Sequence, residues 1–471
     1  GCRQTCPLRP TPTSMAVDLV LAGRPLERVA AALAASDCGR LPALSTVFRD
    51  EVRAARPGIS LCLTLETRLK LAPAVDLNGY FHVHDIWHHA VPQLTTTRPL
   101  RACTRLRALH LERCGRLTDV GHLAECSELT SLRLAGCERL SDLEPLASCR
   151  RLASLALSEV GLVTNLSALA GCTSLEHLEL VEWCNLEDVS ALVGLPALRR
   201  LALSHCVPLT DLSPLASCRQ LEELDLSYNS MLCDISPLGS CSRLQELDLS
   251  GSRKLTDLSP LAHCGALGTL HLARCARLMD VGPLARCQGL RELAMSCCAS
   301  LHDVSALASC RRLRVLNLSR CMQLNCIAPL ARCDGLQKLY LSWCRELDDV
   351  SPLAECTTLT VLDISQCTSV ADVSMLGSCA SLRRLNVAGC RLITGLADLS
   401  QNPHLHIELK RMGRSEHEGI TPPSLRRLTR LCVSMGPHSV RASASGDSPW
   451  TDPPGRGLSA PARRVPSARW Q

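Results

Sequence analysis

The sequence predicts an α/β solenoid. A curved parallel sheet lines its concave side, short helices or 3₁₀ turns form its convex side, and a small helical region precedes it. Three observations predict this. Leucine recurs every 23 residues from Leu106 to Leu382, thirteen positions without an insertion. The chain is 46% apolar but only 2% aromatic, so one aliphatic residue type must fill equivalent core slots. Its 471 residues exceed what one compact core accommodates, which leaves several domains or an elongated repeat.

The elements follow in order. Residues 1–15 are expected to be disordered or foreign to the native protein, with Met15 a candidate start. Residues 16–78 form a small helical cap. Residues 79–412 form the solenoid of 23-residue units. Upstream of Leu106, the residues Val83, Ile86, Val91, Leu94, Leu100 and Cys103 keep the phase faintly. Leu405 opens a further unit that degenerates. Such imperfect end units close a repeat core against water. Residues 413–435 are read as a C-terminal cap, with an amphipathic helix over 423–435. Residues 436–471 are rich in Pro, Ser, Gly and Arg, cannot bury enough apolar surface to offset their ordering entropy, and read as a disordered basic tail.

Each unit reads L-x-x-L-x-L-x-x-C-x-x-L-x-D-(V/L/I)-S-P-L-A-x-C. The alternating L-x-L segment is a strand with its leucines on one face. An aspartate column (Asp119, Asp142, Asp188, Asp211, Asp234, Asp257, Asp280, Asp303, Asp349, Asp372) marks a turn, where a carboxylate accepts backbone N–H groups. Ser213-Pro214, Ser236-Pro237, Ser259-Pro260 and Ser351-Pro352 follow it. Ser at the N-cap with Pro at the first helical position predicts one helical turn per repeat.

The chain has 30 cysteines, most of them in two columns. One runs through Cys103, Cys126, Cys149, Cys172, Cys218, Cys241, Cys264, Cys287, Cys310, Cys333, Cys356 and Cys379. The other runs through Cys114, Cys137, Cys206, Cys275, Cys298, Cys321, Cys344, Cys367 and Cys390, where the thiol is expected to bond the backbone of its turn. Column neighbours lie roughly 5 Å apart and point the same way, which suits a disulfide poorly. Buried, reduced, structural thiols are expected, and with them a reducing compartment, cytosol or nucleus. A zinc site would need close C-x-x-C pairs.

This template resembles the leucine-rich repeat over residues 80–410. The segments Cys126–Asp142 and Cys356–Asp372 are similar to the cysteine-containing subtype common in F-box substrate receptors of ubiquitin ligases. The D-L-S-P-L-A half resembles the shorter repeats of phosphatase regulators and internalins. Within residues 16–75, Asp37, Arg40, Leu41, Leu44, Ser45, Phe48 and Arg49 fall on a pattern similar to the second half of an F-box. Pro42 interrupts its helical stretch, and Gly23-Arg-Pro-Leu26 replaces the usual Leu-Pro opening. The resemblance implies docking to a ubiquitin-ligase core subunit; the alternative is a plain cap over the first coil.

Function is expected to be non-catalytic recognition of a protein on the concave face, with no cofactor and no small-molecule substrate. The alternatives are a ligase substrate receptor and a regulatory subunit of a phosphatase or other enzyme. No Gly-rich phosphate loop, nucleophile elbow, kinase or metalloprotease signature is present. Between the core leucines, the outward columns collect an acidic cluster of Glu179, Glu182, Glu223, Asp225, Glu246 and Asp248, with Tyr228 beside it. A second cluster mixes rings and charge: Arg320, Lys338, Tyr340, Trp343 and Asp363. Aromatics and arginine dominate interface energetics, and an acidic surface favours a basic partner. His82, His84, His88 and His89 surround Asp85. On a helix, His84 and His88 would share a face and could hold a metal, but the repeat phase makes this a capping coil. The net charge of +6 owes much to Arg426, Arg427, Arg463 and Arg464, and no basic stripe with interleaved aromatics points to nucleic acid. No run of about 18 apolar residues predicts a membrane span. The stretch after Met15 lacks the features of a signal peptide, and no apolar tail suggests a lipid anchor. The thiol columns and the weak leader count against a secreted recognition protein.

Overall fold

The computed structural model describes residues 94–100 and 105–409, apart from 161, 164, 165 and 184, together with the backbone of 59–63 and 83–89. Within these residues, sixteen strands form one parallel sheet in which spatial order equals sequence order, from Ile59–Leu63 to His406–Glu408. The sheet is the concave wall of the expected repeat solenoid. From the strand Ala108–Glu112 to the strand Val361–Asp363 the chain returns through a five-residue 3₁₀ turn, Gly121–Glu125 to Ser374–Ser378, with shorter turns at Arg98–Leu100 and Asp398–Gln401. Pairing advances by 23 residues from Asp85↔Ala108 to Val361↔Arg384. At the last strand the step shortens, and Arg384 pairs His406. Apart from the seven-residue Val83–His89, strands span five residues up to His177–Val181 and three from Arg200–Ala202 onward.

The core is the stack of leucine columns. In the first full coil Leu106, Leu109, Leu111, Leu117 and Leu123 are all at most 1% exposed, and every later coil repeats the pattern. Burying one such side chain contributes about 1.5–3 kcal/mol, and it does so only against the coils on either side.

All ten aspartates of the turn column act as expected. Each accepts the backbone N–H two residues ahead at 2.6–2.9 Å. The backbone N–H of Gly121 is the chief reason the Asp119 carboxyl sits below its usual value; at Asp257 the Ser259 hydroxyl leads and the Ser259 N–H follows. The serine is displaced by one position from its expected place. It is the first residue of the 3₁₀ turn, the N-cap is the aliphatic residue before it, and that residue makes no side-chain cap bond. The aspartate has taken over the capping role. Asp303 accepts both the Ser305 N–H at 2.7 Å and its hydroxyl at 3.0 Å. Replacing Asp303 by Ala should therefore cost about 1 kcal/mol in denaturant unfolding, and by Asn much less, since the amide oxygen still accepts. Equal losses for the two variants would sink this account.

Both cysteine columns are hydrogen-bonded ladders. In the second column, Cys206 donates to the Leu180 carbonyl at 3.5 Å, and Cys390 to that of Ile364 at 3.0 Å; the acceptor lies one coil back. Cys114 and Cys137 contact their own turn, at Glu112 and Ala135, and Cys206 adds a longer contact to Ser204. The partner of most of this column is therefore the preceding coil rather than the turn that carries the thiol. The first column does the same, from Cys149 on Leu123 to Cys379 on Leu353, both 3.4 Å. Two other residues confirm the logic of the second column. Asn229 occupies its slot and donates Nδ2 to the Leu203 carbonyl at 2.8 Å, and Trp183 fills it three coils after Cys114, donating Nε1 to Val163 at 2.7 Å. The described cysteines are thiols, not disulfides. Burial pushes Cys126 up to about 11 and Cys344 up to about 12.

One residue past the five-residue strands, and three past the shorter ones, the backbone turns left-handed. The φ values are 53–80° at Arg113, Gly136, Glu159, Glu182, His205, Tyr228, Gly251, Arg274, Cys297, Arg320, Trp343, Gln366 and Gly389. For a residue with a Cβ this costs roughly 1–2 kcal/mol. A lateral bond to the next coil enforces it, as when Tyr228 N–H donates to Ser250 at 2.6 Å and Trp343 N–H to Ser365 at 2.8 Å. These residues form a continuous rim along one edge of the sheet.

The backbone of Val83–His89 is a strand, which removes the helix face that a His84/His88 metal pair requires. His82 and the segment Asp37–Asp50 lie outside the described residues, as do the expected C-terminal cap and tail.

Candidate functional site

The strand columns and the rim position the two predicted clusters differently. In the acidic cluster Glu223 is in register with Glu246, and Asp225 with Asp248. Glu179 stands two strands from Asp225, with Ala202 between them. Glu182 and Tyr228 are not on strands at all but on the rim. Several charges are already engaged. Arg133 lies 3.7 Å from both Glu112 and Glu179, and Arg200 lies 3.1 Å from Glu223. Glu182 and Glu246 remain exposed.

Asp225 and Asp248 spend their carboxylates on their own backbone, accepting the N–H groups of Ser227 at 2.8 Å and Ser250 at 2.7 Å. Burial is the main reason that the Asp225 carboxyl lies above its usual value, opposed by the Ser227 bonds and reinforced by Asp248. His271, next in register after Asp248, approaches it at 3.7 Å. The Asp248 hydrogen bond holds its imidazolium above the usual histidine value against desolvation, helped by Glu292 and Glu246. Sequence reasoning missed His271 and Glu292, although both sit in the outward columns.

The ring-bearing cluster is built around Trp343. Its indole is partly buried on the rim, with the guanidinium of Arg320 5.8 Å and that of Arg345 5.3 Å from the ring centroid. Arg320 precedes it by one coil on the same rim; Arg345 follows two residues later. Such stacking orients the ring and contributes about 0.5–1 kcal/mol per exposed cation. Tyr340 is half-buried on the strand, burial being the main reason its phenol lies above the usual value. Lys338 is exposed on the same strand. Asp363, in register with Tyr340, is 3% exposed. Its carboxylate accepts the Ser365 N–H at 2.9 Å, and burial raises its pKa. The structure therefore leaves Arg320, Lys338, Tyr340 and Trp343 accessible on two adjacent coils and buries Asp363, on the next strand, as a backbone brace. His271, Ala294 and Asn317 separate Asp248 from Tyr340 along the sheet, so the two clusters lie roughly 19 Å apart.

A third feature lies on the rim alongside the acidic cluster. His205 stacks on Tyr228, ring centroids 4.5 Å apart and planes 17° from parallel. Together with Ser230, Gly251, Arg253 and Arg274 they line an open cleft of about 250 Å³. Of these, only Tyr228 was singled out in the sequence. The rest became visible only when the left-handed turn placed rim residues side by side.

Among the described residues no group of three or more His, Cys, Asp or Glu side chains could hold a metal, and no helix is long and apolar enough to cross a membrane.

A family model described as leucine-rich repeats (2 copies) matches residues 219–263. None of the curated proteins matches the chain. Among solved structures, an internalin (inlF) of Listeria monocytogenes is 24% identical over 62% of this chain and 87% of its own, with a TM-score of 0.53. The leucine-rich-repeat protein LIC12759 of Leptospira interrogans is 15% identical over 77% and 98%, with a TM-score of 0.59. A TLR13 structure, solved as a complex with ssRNA13, is 18% identical over 69% and 50%, with a TM-score of 0.54. These likenesses speak to fold alone. Repeat period, sheet topology and family match agree: the chain is a leucine-rich-repeat solenoid.

Proposed function

We propose that this chain is a non-catalytic scaffold that holds a protein partner against its concave sheet and the adjoining rim. One observation carries the reading: Trp343, held between Arg320 and Arg345, stands beside Tyr340 on a rigid strand and its turn. Aromatic and arginine side chains fixed in place give up little freedom on binding, which is how a few residues come to dominate an interface. The acidic strands around Glu223 and Glu246 favour a basic partner surface.

The test starts from tagged full-length protein purified from cells, with the co-purifying proteins identified. Tyr340→Ala combined with Trp343→Ala should weaken the main partner at least about 30-fold, the effect of losing one hot spot. The melting temperature should stay near that of the parent, because neither residue belongs to the leucine core. Unchanged affinity would move the site elsewhere.

A second reading rests on the Asp37–Arg49 motif, which supports a substrate receptor of a ubiquitin ligase docking its core subunit through residues 16–75. Deleting residues 1–78 should then remove ligase core subunits from the purified complex. Their absence from both samples would reject this reading. The thiol columns support residence in a reducing compartment.

A further inference from the structure

The rim cleft has a chemistry of its own. One wall is the stacked pair His205–Tyr228, in which His205 packs on the Tyr228 ring and holds it in place beside Gly251. The other side presents Arg253 and Arg274, both exposed, neither forming an ion pair with a described residue. Gly251 makes room for the cleft. A Cβ there would meet the Tyr228 ring and backbone at 3.1 Å, and φ is +79°. A larger residue would push the tyrosine out of place and break the wall. A ring-stacking face beside two unpaired guanidinium groups suits a planar side chain that ends in an oxyanion.

The surroundings narrow the ligand further. The adjoining strands carry Glu223, Glu246 and Glu292, with Asp225 and Asp248 between them. A nucleic acid would drag successive phosphates over these carboxylates. A basic peptide carrying one anionic ring would satisfy both surfaces, its lysines over the strands and its oxyanion on the rim. We propose that the cleft of His205, Tyr228, Gly251, Arg253 and Arg274 binds a tyrosine esterified with phosphate or sulfate, within a basic segment of the partner. This rests on the concave-face reading for the peptide's path, but not for the cleft itself.

The experiment uses the full chain and fluorescence anisotropy. A short lysine-rich peptide carries a central tyrosine that is unmodified, phosphorylated or sulfated. Phenyl phosphate serves as the free competitor and is also titrated directly by NMR. The modified peptides should bind at least about 10-fold tighter than the unmodified one, consistent with a charge-assisted pair of bonds. Arg253→Gln with Arg274→Gln should erase that difference while the melting temperature holds. The ratio between the phosphate and sulfate arms identifies which ester the cleft prefers. Equal affinity for modified and unmodified peptides, or a preference that survives in the double variant, overturns the proposal. Tighter binding of a single-stranded oligonucleotide than of any peptide also overturns it. Failure of the concave-face reading looks different: phenyl phosphate still binds and still depends on the two arginines, but no partner responds to changes at Tyr340 and Trp343.

Discussion

Between pH 9 and pH 11 the solenoid should unfold cooperatively under reducing conditions. The column thiols are neutral and buried in the fold, where their pKa values rise to about 11 at Cys126 and Cys310 and about 12 at Cys149, Cys264 and Cys333. Desolvation is the leading cause at each. Unfolded, the same thiols titrate near 9. A group whose folded pKa lies above its unfolded value stabilises fully below the unfolded pKa. It loses that contribution as pH climbs through the interval. Each thiol then gives up about 1.4 kcal/mol per pH unit above 9. Lost at several thiols together, this is comparable with the about 5–15 kcal/mol that holds an ordinary domain together. Far-UV circular dichroism across this range reads the transition. A chain that keeps its signal beyond pH 12 would show that the thiols are not desolvated as described. Pulsed alkylation at pH 8 gives an independent view. Among the described cysteines, exposed Cys233 and Cys326 and half-exposed Cys297 should label first, and the column cysteines only after unfolding.

Replacing Trp183 by Ala should destabilise the protein by about 3–5 kcal/mol, the range for removing a large buried aromatic. The indole is 2% exposed and occupies a slot that other coils fill with the much smaller cysteine. Its loss leaves a cavity across neighbouring coils and orphans the Val163 carbonyl, which accepts Nε1 at 2.7 Å. Because each coil contacts only its neighbours, the damage should be local. Hydrogen exchange should accelerate around Ser158 and Leu178, while coils near Leu293 and Leu339 keep their protection. Trp183→Phe restores much of the volume without the donor and should cost less than Ala. A loss below about 1 kcal/mol for the Ala variant would mean that the surrounding leucines collapse into the space.

The 23-residue period made the strands, the leucine columns and the aspartate turns legible, because each sits at one fixed offset and repeats. The serine displacement was not legible. Spacing shows that Asp and Ser-Pro are neighbours, but not that the carboxylate reaches forward to the serine N–H and takes the cap. The same bond explains Asp225, Asp248 and Asp363. They occupy outward columns and read as surface charges, yet they fold back on the N–H two residues ahead. Trp183 lay in plain view, since stepping by 23 from Cys114 lands on it. The rim was hidden for a different reason. Left-handed backbone usually announces itself through glycine, but here only Gly136, Gly251 and Gly389 do so among thirteen coils. Arg253, Arg274 and Arg345 therefore carried no signal of proximity to Tyr228 or Trp343.

The left-handed rim places side chains where the backbone itself favours none. At most proteins' binding sites, trimming a side chain weakens the fold along with the contact, and the two losses are hard to tell apart. At Glu182, Tyr228, Arg320, Trp343 and Gln366 the backbone itself would be more comfortable with glycine. A glycine placed there deletes the side chain and relieves the coil at once. On the proposed binding reading, the rim is a row of positions where losing a side chain loosens a contact while easing the backbone beneath it.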